Sequence, residues 1–263
     1  MNILVCIKQV PSTNQVEVDP VTGVLKRDGG NAKLNPYDLF ALEAAFSIAQ
    51  TTGGSVKTLS MGPPQARTAL LESLWMGADS ATLLSDKKLG GADVAATSYA
   101  LALGVRAIGE FDLILCGKQT TDGDTAQVGP ELAEQLHIDH AANVVRIDGT
   151  DPLGITVTLD LDDRYLTQRM QFPCLLTIDK GSNTPRLPSF LRRQAIDEAK
   201  AIQVLSVSDL PDADEKRLGL TGSPTQVERI FPPEKNAEKA TYTGTSEELA
   251  ETLYNILLNK KLL

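Results

Sequence analysis

The chain has 263 residues, of which 42% are hydrophobic and 22% charged, and its formal net charge is −9 at pH 7. That is enough apolar material for one sizeable core plus an appendage. An acidic balance without a basic cluster argues against nucleic acid and anionic membrane as partners. Cys6, Cys116 and Cys174 each sit inside an apolar run, without CxxC or Cys/His spacing, and so read as reduced core residues rather than disulfides or metal ligands. The start, MNILVCIKQV, reads as a strand rather than a signal peptide. No apolar run approaches the ~20 residues of a membrane span, so a soluble, cytoplasmic protein is expected.

In chain order, the run Ile3–Ile7 predicts a first buried strand, with Lys8 and Gln9 leaving its carboxyl end. Val16–Val18 and Val24–Lys26 flank DPVTG as a small hairpin. Asn35-Pro36-Tyr37-Asp38 opens a helix with an apolar face of Leu39, Leu42, Ala45, Phe46 and Ala49. A strand follows over Ser55–Ser60, ending in Met61-Gly62-Pro63-Pro64, and then a helix from about Gln65 to Met76. Ala81–Leu84 is a short strand, and Asp93 serves as N-cap for a helix over Val94–Ile108. Leu113–Cys116 is the next strand.

The texture then changes. Val144–Ile147, Ile155–Leu161 and Arg164–Gln171 read as strands of a meander or sheet extension, and Pro173–Ile178 as another central strand. A helix is expected from about Ser189 to Lys200, with Arg192 and Arg193 on a solvated face. From Ser206 to Thr245 the chain is polar and rich in Pro and Gly, with few positions to bury. Thr245 and Glu248 then form a capping box ahead of an amphipathic helix striped by Leu249, Leu253, Ile256 and Leu257. The β-α-β-α alternation predicts an α/β fold with a doubly wound, mostly parallel sheet. The expected division is residues 1–205 as a nucleotide-binding domain and 206–263 as an extended arm and helix.

The stretch LILCGKQTTDGDTAQVGPELAEQL at Leu113–Leu136 carries most of the functional information. A buried strand leads into a polar loop of small residues and then into a helix start. Open α/β sheets build ligand crevices this way, at the carboxyl ends of their strands. Backbone N–H groups at such a helix start attract phosphate, with Lys118, Thr121 and Thr125 as added donors. A solvated turn would leave the same pattern. Lys8 at its strand end is either a solvated lysine or a group at the edge of the site. His137 and His140 read as surface residues.

Six segments resemble the β subunit of electron-transfer flavoproteins. They are VCIKQVP (Val5–Pro11), LNPYDLFALEAA (Leu34–Ala45), MGPPQA (Met61–Ala66), MGAD (Met76–Asp79), LCGKQTTDGDTAQVGP (Leu115–Pro130) and NTPR (Asn183–Arg186). Before the PCLLT strand, Leu166 and Gln168 stand where the family carries an acidic and then an aliphatic residue. The resemblance implies a heterodimer with an α subunit and an adenine-nucleotide α-hydrolase-like fold. It also implies a nucleotide in the β subunit: AMP in many members, a second FAD in electron-bifurcating ones. The loop Asp122-Gly123-Asp124-Thr125-Ala126-Gln127 lacks the consecutive acids of the AMP-holding members. It resembles the bifurcating branch, as does GGADVAATSY at Gly90–Tyr99.

The cofactor-binding residues so implied are Cys6, Lys8, Asn35, Pro36, Tyr37, Asp38, Met61, Gly62, Asp93 and Thr97, together with Gly117, Lys118, Gln119, Thr120, Thr121, Asp122, Gly123, Asp124, Thr125, Ala126, Gln127 and Val128. Phe190 or Leu191 takes the place of the partner-recognition side chain. The implied electron donor is NADH. The implied acceptors are an acyl-CoA dehydrogenase-type flavoenzyme and ferredoxin or flavodoxin. No catalytic side chain and no metal are required. The competing reading is a nucleotide-binding regulatory module of related fold.

Overall fold

The structure is a computed structural model that describes residues 1–12, 32–228 and 239–263 in full, and the backbone of 17–18 and 25–26. The chain forms two compact units, Met1–Glu228 and Arg229–Leu263.

The strands of the first unit are β1 (Asn2–Cys6), β2 (Gln9–Pro11), β3 (Glu17–Val18), β4 (Leu25–Lys26), β5 (Ala32–Leu34), β6 (Ser55–Met61), β7 (Ser80–Leu84), β8 (Leu113–Gly117), β9 (Asp139–Asp151), β10 (Gly154–Asp160), β11 (Tyr165–Gln171), β12 (Cys174–Ile178) and β13 (Ile202–Leu205). Its helices are α1 (Pro36–Thr52), α2 (Arg67–Met76), α3 (Val94–Ile108), α4 (Val128–Leu136) and α5 (Phe190–Ala195). Nine strands make one sheet in the order β11-β10-β9-β12-β8-β1-β6-β7-β13. All pairs from β9 to β13 are parallel, and β10 runs antiparallel to both β9 and β11.

The apolar runs form strands because both faces of the sheet are covered. Ile3 and Val5 of β1, Leu113 and Leu115 of β8, and Cys174, Leu176 and Ile178 of β12 enter one core with α1 and α2. The alternate residues Leu4, Cys6, Ile114, Cys116 and Leu175 enter a second core with α3 and α4. Gly129 allows α4 to lie close on the sheet, since a Cβ there would stand 2.5 Å from Thr177 Cγ2. The three cysteines are buried free thiols. Burial pushes Cys174 up to about 12.

The expected doubly wound sheet is present, and the expected meander is the annex β9–β10–β11. The hairpin is seen as the pairing Glu17↔Lys26 and Val18↔Leu25, while its turn lies outside the described residues. Three features differ from the expectations. The helix after NTPR ends at Ala195, because Ile196 is extended and Asp197 closes a separate turn with Ala199 and Lys200. Residues 202–205 form an edge strand beside β7 that had no recognisable pattern. The stretch after Ser206 is not core-poor throughout: Val207, Leu210 and Leu218 are buried on the α3 side, and the compact unit runs past residue 205 to Glu228. Three widely spaced anchors without a period leave no signal in a sequence.

The second unit carries α6 (Ser246–Asn259). Its capping box is formed as expected: Glu248 N–H donates to Thr245 Oγ1 at 3.3 Å, and Thr245 N–H to Glu248 Oε2 at 2.9 Å. Leu249 and Leu253 of the stripe are exposed. Among the described residues, no helix is long and apolar enough to cross a membrane.

Candidate functional site

The winding of the sheet fixes the crevice. From β1 the chain moves outward to β6 and β7, then returns to β8 on the other side of β1. The carboxyl ends of β1 and β8 therefore form a switch point, where the following segments leave toward opposite faces. Cys6 and Cys116 are register partners there. The Cys116 thiol is pushed well up by its hydrogen bond with Cys6 and by burial, so it acts as a small neutral core group rather than a nucleophile.

Most of the site residues read from the sequence gather at this edge. Asn35, Pro36, Tyr37 and Asp38 are the entry of α1, which packs against β8. Lys8 follows β1, and Met61 and Gly62 end the neighbouring β6. The loop Lys118–Gln127 crosses from β8 to α4, with Thr121 to Gln127 exposed. Asp124 and Ala126 have φ of 55° and 56°, the left-handed conformation that non-glycine residues adopt at some cost and often at functional loops. No side chain caps the start of α4, which leaves the Val128 and Gly129 N–H groups without an acceptor inside the helix, Pro130 having no N–H. Asp93 and Thr97 lie on the first turn of α3, alongside α4, to which Ser98 Oγ–H donates through Glu131 Oε2 at 3.3 Å.

The charges at the crevice are largely compensated within the chain. Lys8 Nζ donates to both oxygens of Asp122 at 2.8 Å. Partial burial of Asp122 acts to raise its pKa, but the contact with Lys8 outweighs this and holds it below the usual value. Lys118 Nζ reaches Asp179 Oδ2 at 2.8 Å, and that bond holds the ammonium above its ordinary pKa. Lys118 is thus an ion-pair partner rather than an open phosphate ligand, a role that required the fold to bring Asp179 beside it. Gln119 Nε2 donates to Asp124 Oδ1 and braces the loop from within. What this edge offers an anion is chiefly backbone N–H groups and the α4 dipole.

Asp93 caps α3 through Ala96 N–H at 3.0 Å and also accepts from Thr225 N–H and Oγ–H at 2.9 and 2.8 Å. Partial desolvation opposes its ionisation, but these hydrogen bonds prevail and lower its pKa. Ser223 and Thr225 were invisible as partners in the sequence, being 130 residues or more away.

Phe190 and Leu191 do not join the crevice. They sit on α5, beside the C-terminal end of α2, 69% and 76% exposed. Arg192 and Arg193 are not simply solvated. Arg192 donates from Nε to Leu74 O at 3.1 Å and from Nη2 to Ala78 O at 3.2 Å, while Arg193 lies 4.7 Å over the Trp75 ring. Cations at a helix C-terminus satisfy its orphan carbonyls. Upstream, Arg186 forms a fork with Glu43 at 2.8 and 2.9 Å. The apolar protrusion Leu187–Leu191 is therefore clamped on both sides.

Residues 22–210 match the electron transfer flavoprotein domain family. The chain is 43% identical over 255 residues to the electron transfer flavoprotein subunit beta of Thermoanaerobacterium thermosaccharolyticum, covering 96% of each protein. It is 43% identical over 254 residues to protein FixA of Azorhizobium caulinodans, covering 94% of this chain and 90% of that one. It is 42% identical over 267 residues, the full length of both, to the caffeyl-CoA reductase-Etf complex subunit CarD of Acetobacterium woodii. With this sheet, this switch point and these matches along nearly its whole length, the chain belongs to the electron transfer flavoprotein family, as a β subunit.

Proposed function

We propose that this β subunit pairs with an electron-transfer flavoprotein α subunit in the cytoplasm and holds FAD in the crevice at the carboxyl ends of β1 and β8, as part of an electron-bifurcating complex. The observation that carries this reading is the loop Gly117–Gln127. Its residues 121–127 are exposed and include two in the left-handed conformation, it is free of consecutive acids, and it leads to a helix start without a side-chain cap. Those properties fit a dinucleotide diphosphate, which needs close backbone approach and unopposed N–H donors. Bound there, FAD would supply hydride acceptance from NADH and the division of the two electrons between an acyl-CoA dehydrogenase-type flavoenzyme, by way of the α-subunit flavin, and ferredoxin or flavodoxin.

The chain's own contribution is positional. The first turn of α4 offers backbone donors to the phosphates. Lys8 neutralises the loop's Asp122, while Lys118 pairs with Asp179 beyond β12. Cys6 and Cys116 form an apolar floor from which water is excluded. No side chain at the crevice has to act as acid, base or nucleophile. Extraction of the purified αβ heterodimer is expected to yield two FAD per dimer and no AMP. One flavin with one AMP per dimer would refute bifurcation and leave the β-subunit assignment in place.

Phe190 and Leu191, on their clamped protrusion, are the contact for the dehydrogenase-type acceptor. Replacing both by Asp is expected to weaken that contact roughly ten- to hundred-fold, with flavin content unchanged. Electron-transfer rates titrated against acceptor concentration provide the check, and an unaltered half-saturation point would rule out the contact.

A further inference from the structure

Two of the residues grouped at the crevice are hidden from it. Asn35 is fully buried and Asp38 is 4% exposed, and each side chain is engaged with backbone from other segments. Asp38 Oδ2 accepts from Lys8 N–H at 2.7 Å, and its Oδ1 from Asn35 Nδ2 at 2.9 Å. Asn35 Nδ2 also donates to Gln119 O at 2.9 Å, and Asn35 Oδ1 accepts from Thr121 N–H at 3.3 Å. Asn35 N–H donates to Lys8 O at 2.9 Å. One pair of side chains thus joins the exit of β1, the entry of α1 and the loop after β8. The salt bridge from Lys8 to Asp122 closes the same connection from outside.

We propose that Asn35 and Asp38 form a buried latch that sets the position of residues 119–122, so that nucleotide affinity at the crevice is governed by a pair lying beneath the loop and out of the ligand's reach. The inference rests on the nucleotide-binding reading given above. These are positioning residues. Besides the latch, the Lys8–Asp122 salt bridge ties residues 119–124 to the rest of the fold, and their other hydrogen bonds stay within the loop. A mobile loop would have to be ordered at the moment of binding, which costs affinity. The latch meets that cost during folding.

The latch has a polarity. Lys8 N–H, Asn35 Nδ2 and the Gly117 backbone all donate to Asp38, which suits a carboxylate and not a carboxylic acid. Burial raises the Asp38 pKa to about 7, against the opposing pull of Asn35 and Lys8. The titratable groups that interact with it are Lys8 after β1 and the Cys116 thiol. Protonation on going below about pH 7 places a proton among donors and loosens the latch. The effect on overall stability has the opposite sign. A carboxyl whose folded pKa is raised contributes stability that is complete below its unfolded pKa and is lost as pH rises through about 7. Affinity and stability therefore move in opposite directions as pH rises toward about 7, as a purely structural role would not make them do.

The test uses the full-length αβ heterodimer stripped of nucleotide, titrated with ADP at several pH values, with amide exchange of residues 119–123 followed in the same samples. Asn35→Ser and Asp38→Asn are each expected to raise the ADP dissociation constant by about ten-fold or more and to speed exchange of the Thr121 amide. Wild-type affinity should fall as pH drops through about 7, beyond any change seen with Asp38→Asn, for which the titration of ADP itself is the same. Should Asn35→Ser fail to fold, the isosteric Asp38→Asn and the wild-type pH series still decide. Equal ADP affinity in wild type and variants, with equally protected loop amides, overturns the latch and leaves the nucleotide reading standing. Failure of the wild-type heterodimer to bind ADP overturns both.

Discussion

Gly117→Ala is expected to cost on the order of 2–4 kcal/mol of stability and to empty the crevice of nucleotide. A Cβ at Gly117 would stand 2.4 Å from Asp38 Oδ1, 2.7 Å from the Tyr37 carbonyl carbon and 2.9 Å from Asp38 N. None of these atoms is the free end of a flexible side chain. Two belong to the backbone of the first turn of α1, and the third is pinned by Asn35. Relief requires α1 to move off β8 or the Asp38 carboxylate to turn away from its donors, and either loosens the loop beyond. Gly123→Ala provides the contrast. Its nearest neighbour would be Thr120 Oγ1 at an ordinary 3.4 Å, and a surface change of that kind stays within about 0.5 kcal/mol. Denaturant titration of both variants, with nucleotide quantified after dialysis, checks the pair. Equal behaviour would mean that α1 does not approach β8 as closely as described.

The second large effect concerns α6. Its capping box fixes where the helix starts, and its apolar stripe needs a cover, since a row of leucines left in water is an unusual exposed patch. We propose that the α subunit supplies this cover. Leu253→Asp combined with Leu257→Asp removes two apolar side chains, each worth roughly 1.5–3 kcal/mol when buried. The αβ dissociation constant is then expected to rise by about a hundred-fold or more, with flavin lost by mass action from sites that need both chains. Sedimentation of the two subunits at graded concentrations measures it. A double variant that associates as tightly as the wild type would end this assignment.

The central strands could be read directly because burial on both faces makes each a continuous apolar run. Ile3–Ile7, Leu113–Cys116 and Pro173–Ile178 needed no other signal. The helices α1 and α3 were marked by what precedes them, Asn35-Pro36 and Asp93. The site was legible as segments, and the loop Gly117–Val128 was found where strand, polar loop and helix start succeed one another. The connections among those segments were not legible. Asn35 meets Gln119 across 84 residues, and Lys118 meets Asp179 across 61, distances at which no periodicity operates. Arg192 looked like a solvated cation because its partners are backbone carbonyls, which every sequence contains and none advertises. The strand Ile202–Leu205 was missed for a related reason: four residues at a sheet edge are too few to show alternation.

The order of strands in the sheet also dictates when the crevice comes into being during synthesis. β8 lies between β1 and β12, so the second strand of the switch point keeps a bare edge until residues 174–178 have left the ribosome. Lys118 waits still longer, for Asp179. Parallel pairings of this kind close long loops before contacts reward them, which makes them slow. At elongation rates of about 5–20 residues per second, the interval between β8 and β12 lasts several seconds. For that time β8 lacks its β12 neighbour. A message truncated between codons 117 and 174 leaves β8 without β12, an unpaired strand edge for chaperones or proteases to find.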